Sequence, residues 1–158
     1  MYAQATAVSA DRSKAEIEAV LRRYGASQFV YGWNQNEAAM LGFRGNGRSI
    51  RIVVPMPDPA AASKTPTGRT RRPGRATAQA HEQEIRRRWR ALLLVIKAKL
   101  EAVASGIAQF DDEFLAYTVL RDGQTFGEWA APQLPDVVRG KMPTMLAAVA
   151  GPAGRGSD

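Results

Sequence analysis

The spacing of apolar positions changes three times along the chain, and each change marks an element. Ile17, Val20, Leu21 and Tyr24 fall at offsets 0, 3, 4 and 7, which is one face of an α-helix. Ser13-Lys-Ala-Glu16 has the form of a capping box, so this helix is expected to start at Ser13, with residues 1–12 as a tail and Gly25 as its stop. Beyond Gly25 the period drops to two. Phe29, Tyr31 and Trp33 form one alternating set, Ala39, Leu41 and Phe43 a second, and Ile50, Ile52 and Val54 a third, predicting three strands. Asn34-Gln-Asn36 and Gly45-Asn-Gly47 separate the sets with residues that tolerate the positive φ of tight hairpin turns. Residues 13–54 therefore read as a helix followed by an antiparallel meander.

The helical period then returns. From about Thr77 to a stop at Gly106, Ile85, Trp89, Leu92, Leu93, Ile96, Leu100 and Val103 recur at offsets 0, 4, 7, 8, 11, 15 and 18, a continuous stripe. Burying such a stripe against the sheet contributes on the order of 10–20 kcal/mol before entropy is subtracted, so this long helix is the expected core element. Phe110 to Leu120 fits both a short helix opened by Asp111, Asp112 and Glu113 and a strand alternating at Leu115, Tyr117 and Val119; the acidic opening favours the helix. Arg121-Asp-Gly123 is a turn, and Thr125-Phe-Gly-Glu128 is a second capping box. It predicts a helix from Phe126 toward Val138 whose regularity Pro132 and Pro135 limit. The expected class is α+β: a helix, a three-stranded antiparallel sheet, a long helix packed on the sheet, then C-terminal helical segments. Residues 77–146 belong to the same domain, and 147–158 form a tail.

Between these halves, Pro55 to Ala76 has five prolines and little apolar content beyond alanine and Met56. Such a segment lacks what offsets the entropy of ordering, and it is expected to be a flexible loop. Lys64, Arg69, Arg71, Arg72 and Arg75 lie in it.

Charge changes this picture. The net charge is +7, but residues 64–100 hold eleven basic and two acidic side chains while residues 101–158 hold four and eight. Seventeen of the twenty-two basic residues are arginine, as GC-rich coding favours, which accounts for arginine over lysine but not for its placement. A central basic block points to a polyanionic partner. Arg86, Arg87, Arg88 and Arg90 lie off the apolar stripe, and on this reading they cluster at the helix start, where cations oppose the macrodipole and an external anion would relieve them. With Arg69, Arg71, Arg72 and Arg75 of the loop they are the candidate nucleic-acid contacts. Trp33, bordering the first turn, is the candidate for stacking on bases. An acidic protein surface is the alternative partner for the same arginines.

Catalytic chemistry has little purchase. There is no cysteine, which excludes thiol catalysis and cysteine metal sites and fits a reducing compartment, and no G-x-S-x-G. The single histidine, His81, stands beside Glu82 and Glu84 in what reads as a solvated first turn, and Asp111 with Asp112 is the weak candidate for a divalent cation of a nuclease. The glycines of GFRGNG are flanked by strands and so lack the strand-to-helix context of a phosphate loop. No cofactor, metal or catalytic residue is assigned. No segment has the apolar length to span a bilayer, and the expectation is a cytoplasmic protein.

Two resemblances follow from these residues. The order of helix, three antiparallel strands and helix, with RRRWR placed near the last helix's start, resembles the topology of double-stranded-RNA-binding domains, which implies phosphate contacts by basic residues at that position. The strings RRYGASQFVYGW, WRALLLVIKAKLEAV and FLAYTVLRDGQTFGEW resemble a family of small uncharacterised bacteriophage and prophage proteins. That likeness implies a bacterial host cytoplasm and an accessory role, and it assigns no residue a function.

Overall fold

The helical stripes and alternating strands pack into two layers, helices on one side and sheet on the other. The computed structural model describes residues 2–33, 38–58, 69 and 74–141. The first helix, α1, spans Tyr2–Arg23, so it does not start at Ser13. Residues 2–12 contain no glycine or proline and four alanines, and a helix propagates through such a stretch more readily than it stops there. The extension brings Ala10 into the core with Ile17 and Leu21. At the other end, Gly25 at φ 83 allows its N–H to reach the Arg22 carbonyl and the Ala26 N–H the Leu21 carbonyl, a Schellman stop.

Strands β1 (Ser27–Trp33), β2 (Ala38–Gly45) and β3 (Arg48–Pro55) form an antiparallel sheet in the order 1-2-3. The first turn, at Asn34–Asn36, lies outside the described residues. The second is a two-residue turn between the paired Gly45 and Arg48, with Asn46 at φ 49 and Gly47 at φ 73, the left-handed pair that such hairpins need. Register places Leu41 opposite Tyr31 and Ile52, so one face gathers the alternating apolar sets.

Helix α2, Arg75–Ala104, is the longest element at 30 residues. Trp89, Leu92, Leu93, Ile96 and Leu100 are buried in one core with Ile17 and Leu21 of α1 and with Leu41, Phe43, Ile50, Ile52 and Val54 of the sheet. Lys14 lies over the Trp89 ring midway along both helices, and Tyr24 donates to Glu101 near both C-termini, so α1 and α2 run side by side in the same direction. The loop expected over residues 55–76 falls largely outside the described residues, apart from Pro55–Asp58, Arg69 and 74–76.

Both readings of Phe110 to Leu120 hold in part. Phe110–Phe114 is a helix, α3, followed by a 3₁₀ turn at Leu115–Tyr117, and then Thr118 pairs with Ile50 while the Val119 N–H donates to the Ser49 carbonyl. The segment thus caps the edge of β3. Phe114 is fully buried against Phe43 and Phe110, and a Cβ on Gly45 would meet the Phe110 ring at 2.9 Å. The Thr125 capping box forms, but α4 stops at Ala130 and α5 runs from Leu134 to Val138. Pro132 cannot continue the hydrogen-bond ladder, whereas Pro135 sits in the first turn of α5, where its missing N–H costs nothing. Among the described residues no helix is long and apolar enough to cross a membrane.

Candidate nucleic-acid interface

The arginine cluster is not at a helix start. Because α2 begins at Arg75, Arg86 stands about 16 Å along the axis at 1.5 Å per residue, whereas the macrodipole is felt only within the first turn. The expected anion site built from that dipole is therefore corrected. Acids one turn back balance part of the cluster instead: Arg86 pairs with Glu82 at 3.3 Å, and Arg87 and Arg88 share Glu84 at 3.0 and 3.1 Å. These two arginines hold the Glu84 carboxyl below the usual glutamate range. Arg88 also donates to the Pro55 carbonyl at the end of β3, which makes it a clamp between α2 and the sheet.

Arg90 has a different environment, exposed and without an ion-pair partner among the described residues. Arg86, Arg90 and Lys97 fall at offsets 0, 4 and 11, on the edge of α2 that faces α1, and all three are exposed. Lys97 lines a shallow groove with Val20 and Arg23 of α1 and with Tyr24 just beyond its end. Glu101 closes the far end, its carboxylate accepting from the Tyr24 hydroxyl at 3.0 Å. Arg86, Arg90 and Lys97 thus form a row along one edge of α2, with Arg23 across the groove. Neither Arg23 nor Lys97 is among the candidates read from the sequence, because both lie outside the run RRRWR; only the helical angle relative to the Trp89 stripe shows Lys97 on that edge.

Of the remaining candidates, Arg69 and Arg75 are exposed, and Arg71 and Arg72 lie outside the described residues. Trp33 is 62 % exposed. It pairs with Ala39, which stands opposite Val54, so it occupies the end of the sheet where Pro55 takes the Arg88 guanidinium. Phe29 and Tyr31 do not continue an open platform. Tyr31 packs edge-on against Trp89, its hydroxyl donates to the Lys14 carbonyl at 3.0 Å, and burial pushes its pKa up to about 12.

Of the two carboxylates considered for a cation, Asp112 is exposed and Asp111 serves as a tertiary link, as do Glu113 and Glu128. Asp111 accepts from Arg48 at 3.0 Å and from Asn46, and the Arg48 hydrogen bond holds its carboxyl low. Glu113 takes Lys99 at 2.8 Å. Glu128 accepts from the Thr125 N–H and from Arg51, and both lower its pKa, the backbone donor most. Among the described residues no three potential ligands converge on a metal position, and Nδ1 of His81 is buried without a hydrogen-bond partner.

Comparison with known protein families, with curated proteins and with solved structures finds no match to the chain.

Proposed function

We propose that the chain is a non-enzymatic nucleic-acid-binding protein, an accessory factor of a phage or prophage, that holds phosphates along the edge of α2 facing α1. The observation that carries this reading is the exposed row of Arg86, Arg90 and Lys97 with Arg23 across the groove, lying within and beside the segment that concentrates the chain's positive charge. Along a helix the row spans about 16 Å, enough for each of the three cations to meet a phosphate of one strand. Arg69, Arg71, Arg72 and Arg75 extend the basic sequence toward the N-terminus of α2, and Trp33 supplies an exposed ring for an unstacked base. The test is fluorescence anisotropy with labelled single-stranded and duplex oligonucleotides. Joint replacement of Arg86, Arg90 and Lys97 by alanine should weaken binding to every sequence alike, and an unchanged affinity would move the contact elsewhere.

A second reading, a protein-binding adaptor, is favoured by one observation. The solvent side of α2 carries Leu94 at 58 % exposure and Val95 at 47 %, beside the same arginines. Apolar side chains are of no use to a phosphate backbone.

A further inference from the structure

The outward face of α2 has a period of its own. Arg87, Ala91, Leu94, Ala98 and Glu101 fall at offsets 0, 4, 7, 11 and 14, and all five are exposed. This alternation of four and three is the heptad seam of a helix that packs on another helix. The core stripe of α2 lies on the opposite side, so the helix has two seams; the fold fills the first and touches the second only where Ala98 and Glu101 border the α1 groove. Leu94 is the centre of the second, with Val95 at its flank and an alanine one turn to either side, which lets two backbones approach closely.

The charges on this seam are arranged about Leu94. Arg87 is seven residues before it and Glu101 seven residues after it. In a parallel pair of α2 helices each charge would meet its like. Turned antiparallel about a two-fold axis through Leu94, Arg87 of one copy faces Glu101 of the other twice, Leu94 meets Leu94, and Ala91 meets Ala98. A surface that complements itself under a two-fold axis is what an isologous dimer needs. Arg87 must exchange its local partner Glu84 for the partner's Glu101, one exposed pair for another at little cost, while the Glu101 carboxylate keeps its second oxygen for the Tyr24 hydroxyl of its own chain. The rim on the α1 side brings Arg90 near the partner's Lys97, which opposes association and limits its strength.

We infer that this face of α2 is a docking surface for a second copy of the chain, in an antiparallel helix pair centred on Leu94. The inference does not rest on nucleic-acid binding. Its occupant is fixed by the charge arrangement rather than by the exposed apolar side chains alone. A contact of four helical turns falls near or below the roughly 1,200 Å² lower bound of stable interfaces, so the dimer is expected in the micromolar range.

The experiment is sedimentation velocity on nuclease-treated protein alone, over about 5–500 μM, a range set around that affinity. The wild type should move from the 17.2 kDa monomer toward a dimer. Leu94→Asp, at an exposed position that leaves the core intact, should remain monomeric throughout. Arg87→Glu and Glu101→Arg should each fail to self-associate, and an equimolar mixture of the two should form a heterodimer, because both cross-pairs are then complementary. Circular dichroism of each variant checks that the helices persist. A wild type that stays monomeric, a dimer indifferent to Leu94→Asp, or a mixture that does not associate would overturn the inference. None of these outcomes bears on oligonucleotide binding, which is measured with Arg86, Arg90 and Lys97.

Discussion

Arginines on β3 and arginines on α2 carry the same group into opposite surroundings. Arg48 and Arg51 reach acids 63 and 77 residues away, Asp111 and Glu128, and tie the C-terminal segment to the sheet. On α2, Arg86 and Arg87 find their acids within one turn, and Arg90 finds none among the described residues. A local pair of exposed side chains contributes a few tenths of a kcal/mol and is readily exchanged. A pair that joins distant segments adds a tertiary link, even where both side chains stay about half exposed, as at Arg48 and Asp111. Charge counting treats both groups alike, although only the tertiary pairs, with the Arg88 clamp on Pro55, tie one element to another.

The largest effects should come from the side of α2 that faces away from its cations. Ile96→Ala removes a fully buried side chain next to Lys97 in sequence, and should cost about 2–5 kcal/mol in denaturant unfolding. A change under 1 kcal/mol would show that α2 is not the principal core helix.

Thr125→Ala comes next. Thr125 is buried, accepts from the Glu128 N–H at 3.2 Å and shares Glu128 with Arg51, so losing it should cost about 1 kcal/mol. Hydrogen exchange should localise that loss to α4 and the bridge at Thr118–Val119. A loss spread evenly over the domain would mean that the C-terminal segment is not a separable layer.

Acid should loosen the same links. Asp111 and Glu128 have folded pKa values below their ordinary ones, so their contribution to stability is present above the ordinary carboxylate range and is lost as pH falls through the depressed folded values. Thermal melts between about pH 6 and pH 2 should show this loss. In Arg48→Ala combined with Arg51→Ala the part due to these two arginines should vanish, although the Thr125 N–H still lowers Glu128. An unchanged acid slope in the double variant would break the contrast between tertiary and local arginine pairs.

Much of this was legible in the sequence, for identifiable reasons. The stripe from Ile85 to Val103 and the three alternating sets are dense periodic signals, and they gave α2, the sheet and its order. The start of α1 was misplaced because a capping box is a local signal and the alanine-rich stretch before it propagates helix regardless. Position along α2 was the larger error. Arg86 to Arg90 abut in sequence the segment that opens the helix, yet they stand three turns inside it, so the dipole argument did not apply. The row of Arg86, Arg90 and Lys97 escaped notice because spacing of four and seven is hidden beneath the more conspicuous run RRRWR. Tertiary ion pairs such as Arg51 with Glu128 leave no trace in a single sequence, since nothing in the local pattern specifies which distant acid an arginine meets.

If the exposed cations of α2 hold phosphates, as proposed, the salt dependence of binding must report it. Each phosphate neutralised by the protein contributes roughly −0.7 to −0.9 to the slope of log affinity against log salt. Replacing Arg86, Arg90 and Lys97 together by alanine should leave unfolding stability within about 0.5 kcal/mol per site, since all three are exposed. The same replacement should make the slope shallower by about 2 to 3, equally for any oligonucleotide sequence. A variant whose slope matches the wild type would place the phosphate contacts elsewhere, and a wild type that binds no polyanion at low salt would rule out nucleic-acid binding by these cations.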